Sequence, residues 1–151
     1  MKSEIKEAFR KAASVYEARQ ADQQRAQENK VSERQRFEAE WRLAVDRIVK
    51  PALEQISQEI LGPASWTSEV RTLDSDRAIT LQVYKGTMFA QGTSKRPSIT
   101  FAADAYSPKI NVASQSITQG GGQGSVELSQ LTEEFIQTKV LQFFERLTSG
   151  S

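Results

Sequence analysis

The chain has 151 residues, enough for one core of moderate size, and carries 20 lysines and arginines against 19 aspartates and glutamates, a formal net charge of +1. So even a balance gives no bulk field favouring nucleic acid or an anionic membrane. Cysteine and histidine are absent, which removes disulfides, thiolate and imidazole metal sites, cysteine nucleophiles and histidine triads together, so any catalysis would rest on carboxylates, lysine, tyrosine or serine with shifted pKa values.

Met1 to Arg10 mix charged and apolar side chains without a continuous hydrophobic run. Neither a signal peptide nor a membrane span is expected, and the expected location is the cytoplasm. From Ser3 to about Lys30 the composition is Ala, Glu, Gln, Lys and Arg with no Pro or Gly, which predicts a long helix. Ile5, Ala8, Phe9, Ala12, Ala13 and Tyr16 recur at three and four residues and form a stripe. Beyond Tyr16 the apolar positions shrink to Ala18, Ala21 and Ala26, so that stretch is expected to be a solvated or fraying helix.

Ser32 with Gln35 forms a capping-box pattern, marking a new helix or a continuation of the first. The strongest helical spacing runs over 32–61: Phe37, Trp41, Ala44, Val45, Ile48, Ala52, Ile56 and Ile60 share one face. Pro51 lies inside it, and a kink is expected there because proline lacks an N–H and crowds the preceding turn.

After Gly62 the pattern changes to alternation. Ser68–Leu73 reads as a weak strand with a turn at Asp74–Arg77, and Ala78–Tyr84 as a strand with Ile79, Leu81 and Val83 on one side. Pro97–Ala102 and Lys109–Gln115 repeat the alternation through Ile99, Phe101, Ile110 and Val112, with a turn at Ser107-Pro108. Ser116–Gly124 holds four glycines and reads as a mobile loop, followed by a short edge strand over Ser125–Leu128. Thr132 is the expected cap of a final helix, Leu131 staples onto Ile136, and Ile136, Val140, Phe143, Phe144 and Leu147 form its apolar face.

The expected architecture is therefore α+β: a long N-terminal helix or helical hairpin, an antiparallel meander of about four strands, and a C-terminal helix on the same sheet face as the middle helix. Residues 1–30 are expected to be a charged arm and 31–151 the compact domain. Narrow apolar stripes among mixed charges bury best against another helix, so Ile5, Phe9, Ala12 and Tyr16 are the candidates for self-association into a homo-oligomer. Tyr84, Lys85, Lys95, Arg96 and Lys109, with Phe89 nearby, are the candidates for contacting a partner or a nucleic-acid backbone. The polar sheet face of Thr80, Gln82, Tyr84, Ser98, Thr100, Asn111 and Gln115 reads as an ordinary wet face.

The glycines near Gly120 lack the Lys-Ser or Lys-Thr pair of a phosphate loop. Asp74, Asp76 and Asp104 lack calcium-loop spacing and read as turn residues, so no metal or cofactor is expected. The expected function is a non-enzymatic interaction or adaptor module binding another protein. The alternatives are a nucleic-acid binder using the sheet edge and basic loops, and a small-ligand-binding α+β domain with an apolar pocket beneath its helices.

Overall fold

The computed structural model describes residues 2–73, 77–85, 96–115 and 120–149, without the side chains of 120–123. The chain divides into two units, Met1–Phe37 and Glu38–Ser151. Helix α1 (Ser3–Ala44) contributes residues to both. Ser32 lies inside it, so the capping-box pattern starts no new helix, and the segment beyond Tyr16 keeps its helical hydrogen bonds.

In the second unit the backbone stays helical through the π-helical turn Val45–Val49, helix α2 (Lys50–Ile56) and the π-helical turn Ser57–Leu61. The Lys50 N–H donates to the Val45 carbonyl, one residue farther back than in an α-helix. Pro51 follows at once, with the carbonyl its ring would crowd inside that widened turn, so the helix passes the proline without ending. The second widened turn closes with the Gly62 N–H on the Ser57 carbonyl at 2.9 Å. A Cβ on Gly62 would lie 3.3 Å from that same oxygen, which is why glycine suits the position.

Each π turn advances the buried face by one residue. Val49 is buried and Ile48 only half-buried; Leu61 is 2% exposed, whereas Ile60 is 61% exposed. The expected stripe is thus corrected at both positions, because a strict three-and-four spacing assumes an uninterrupted α-helix.

Five strands follow: β1 (Thr67–Leu73), β2 (Ala78–Tyr84), β3 (Ser98–Ala103), β4 (Lys109–Gln115) and β5 (Gly120–Glu127). They form one sheet in chain order with every neighbouring pair antiparallel. The sheet has five strands where about four were expected, because the glycine-rich segment is a strand in place of a loop. It pairs with β4 through Val112↔Gly124 and Ala113↔Gly122, leaving Gln123 as an extra residue in a bulge. Gly124 has φ of 112°, a conformation that glycine adopts without strain. The turn expected at Asp74–Asp76 lies outside the described residues.

Ile79, Leu81, Val83, Ile99, Phe101, Ile110 and Val112 are buried on one face of the sheet. Helix α3 (Glu133–Ser149) covers that face together with α2, burying Ile136, Val140 and Phe143. Its start follows the sequence closely: the Phe135 N–H donates to the Thr132 hydroxyl at 3.1 Å, and Leu131 and Ile136 are both buried. Trp41 seats the end of α1 on the sheet, its buried indole N–H donating to the Arg77 carbonyl at 2.8 Å. The ion pair between Arg77 and Glu38 at 3.1 Å lies beside it.

Thr80 departs from the wet-face reading. It is buried on interior strand β2, and its hydroxyl donates to the Ile99 carbonyl at 3.1 Å while accepting from the Thr100 hydroxyl at 2.9 Å. A short side chain between Arg71 on β1 and Thr100 on β3 sinks below its neighbours, and the hydroxyl finds its partners within the sheet.

Candidate functional site

Among the described residues, each unit presents an exposed apolar surface. In the first, every residue from Lys2 to Glu33 is exposed. The stripe is apolar without being buried: Ile5 is 47% exposed, Phe9 67% and Tyr16 64%, and Ala12 between them is exposed as well. Helical geometry alone brings these four together, since spacings of four, three and four residues return to one side of the cylinder. Lys2, Arg19 and Lys6 lie nearest them around the helix, with Glu4 and Glu17 farther round, and Arg10 stands 4.0 Å from Glu7.

The second surface is a groove of about 350 Å³ in the α+β unit. One wall is the end of α2 and the π turn after it, through Gln55, Ile56, Glu59, Ile60 and Leu61; the other is α3, through Gln137, Val140, Leu141 and Phe144. The π turn helps make the groove, because seating Leu61 in the core turns Ile60 outward. On the facing wall Leu141 is 56% exposed. Phe144 is held edge-on by the Trp66 ring, centroids 4.8 Å apart and planes at 66°.

Polar groups edge the groove in a matched way. The Gln55 side-chain amide donates to Glu59 at 3.1 Å, and the Gln137 amide donates to Glu133 at 3.3 Å. Glu59 is the one charged residue among the lining residues. The cleft is therefore apolar at its base and acidic at its edge.

Among the described residues, the basic and aromatic candidates do not form one surface. The Arg96 guanidinium lies over the Tyr84 ring, 4.3 Å from its centroid. The Lys85 ammonium donates to the Ala64 carbonyl at 3.1 Å and lies 5.8 Å from the Trp66 ring. Lys109 opens β4 opposite Glu127, whereas Tyr84 pairs with Thr67 at the other end of the sheet. Lys95 and Phe89 lie outside the described residues.

Of the three aspartates, Asp74 and Asp76 lie outside the described residues, and Asp104 organises the β3–β4 turn. Its carboxylate accepts from the Ser107 hydroxyl at 2.7 Å, the Ser107 N–H at 2.8 Å, the Asn111 side-chain amide at 3.0 Å and the Tyr106 N–H at 3.1 Å. The Ser107 hydroxyl, then the Asn111 amide and the backbone donors, hold its carboxyl well below the usual carboxylate range. Among the described residues no three acidic side chains converge on one point, and no helix is long and apolar enough to cross a membrane.

No family model, curated protein or solved structure matches this chain. The stripe of Ile5, Phe9, Ala12 and Tyr16 is legible in the sequence, and the groove is not. Its one sequence signal is Leu141, a large apolar residue beside Val140 and off the face set by Ile136, Val140 and Phe143.

Proposed function

We propose that the chain is a non-enzymatic protein-interaction or adaptor module that self-associates through its N-terminal helix, while its α+β body presents a surface to another protein. The exposure of Ile5, Phe9 and Tyr16 along one side of α1 carries this reading. A contiguous apolar stripe bordered by charges is the usual mark of a helix that finds its cover on another polypeptide. The lack of histidine and cysteine supports a non-catalytic role.

Nucleic-acid binding is less well supported. Arg96 is engaged by Tyr84, Lys85 by Ala64, and Lys109 sits at the far end of the sheet, so among the described residues these basic side chains offer no single track for a phosphate backbone.

Light scattering of the full chain and of the Phe9→Ser/Tyr16→Ser double variant tests the reading. Above a threshold concentration the native chain is expected to show a mass above that of one copy, and the variant the mass of one. Equal single-copy masses at every concentration would end it.

A further inference from the structure

The groove is edged by carboxylates and the stripe is bordered by cations, and Ile60, Leu141, Ile5, Phe9 and Tyr16 are all exposed. We infer that the groove between the second π turn and α3 receives the N-terminal stripe of a second copy, with Ile5, Phe9 and Tyr16 laid along the cleft that Ile60 and Leu141 edge. This rests on the self-association proposed above and names its receptor.

Shape and charge both favour the groove over a second stripe as the partner. An amphipathic helix presents anchors at three- and four-residue spacing, and a cleft between two helical walls with an apolar base receives such anchors end to end. Ile60 and Leu141, at 61% and 56% exposure, supply the apolar rims, and Phe144 is fixed against Trp66 as part of the base. Charge decides between receptors. At about 100° per residue Lys2, Lys6 and Arg19 are the cations nearest the stripe, whereas the groove offers Glu59 and, through Gln137, Glu133. Stripe against stripe brings those cations together; stripe in groove sets them against carboxylates. The π turn then has a role beyond packing, since by turning Ile60 outward it builds a docking rim in place of a deeper core.

The test uses full-length chains carrying Phe9→Glu or Leu141→Glu, both at exposed positions, with circular dichroism to verify that each folds. Sedimentation velocity is expected to show each variant alone associating about tenfold more weakly than the native chain or worse. An equimolar mixture of the two is expected to regain association above either alone, because the intact stripe of one meets the intact groove of the other. Ile60→Glu is expected to behave as Leu141→Glu, and Glu59→Gln to weaken association and reduce its sensitivity to salt.

Native-like association of both Leu141→Glu and Ile60→Glu, with Phe9→Glu impaired, would place stripe against stripe and overturn the groove while leaving self-association standing. A mixture no better than its components would also overturn the groove. A native chain that stays monomeric would remove both.

Discussion

Trp41 shows how one side chain can hold a helix to a sheet. Its ring is buried and its N–H reaches the Arg77 carbonyl, which also accepts from the Ala103 N–H at 3.0 Å. Trp41→Phe leaves that carbonyl one partner, so its effect is confined to a lost hydrogen bond and lost packing. We expect a destabilisation of about 1–3 kcal/mol, read from the urea midpoint. Gly124 is a purely conformational case: nothing stands within 4 Å of a Cβ built there, yet its φ is 112°. Gly124→Ala should cost about 1–2 kcal/mol from backbone strain alone.

Asp104 gives a residue-scale pH dependence. Its folded pKa is depressed, so the stability it contributes is fully present above the ordinary carboxylate value of about 3.9 and is lost as pH falls below it. The stability difference between the native chain and Asp104→Asn should narrow as pH is lowered from about 5 toward 2. A gap that stays constant through that window would show that the turn draws nothing from the ionised carboxylate.

At the scale of elements, legibility followed the strength of the side-chain pattern. Strands β2 to β4 are plain in the sequence because Ile79, Leu81, Val83, Ile99, Phe101, Ile110 and Val112 alternate with polar residues, and one buried face makes that alternation obligatory. Strand β5 is legible only at its end, Ser125–Glu127, because Gly120, Gly121 and Gly122 have no side chains to alternate; their pairing comes from the backbone of β4. The π turns are hidden for another reason. Ile60 and Leu61 are both apolar, so either could continue the stripe, and only the 2.9 Å bond from the Gly62 N–H to the Ser57 carbonyl shows which one does. Leu61→Ala should therefore cost roughly 2–5 kcal/mol, and Ile60→Ala no more than about 0.5 kcal/mol, when unfolding is followed at low protein concentration. The reverse order would mean that the turn is α-helical in solution.

For the whole molecule, the exposed apolar stripe and the apolar groove are the described features with the clearest bearing on function. Exposed apolar side chains scattered singly are common, but Ile5, Phe9 and Tyr16 are aligned, and Ile60 and Leu141 face each other across a cleft. The stripe was legible because a helix repeats its face at fixed spacing. The groove was not, because it depends on a one-residue shift in one helix and on the packing of α3 against α2. The most direct measurement is amide hydrogen exchange across residues 5–16 at increasing protein concentration, since an uncovered helix opens readily and a covered one is slowed. Protection of those amides is expected to climb with concentration and to stay flat in the Phe9→Glu chain; protection that ignores concentration in the native chain would contradict self-association through this helix.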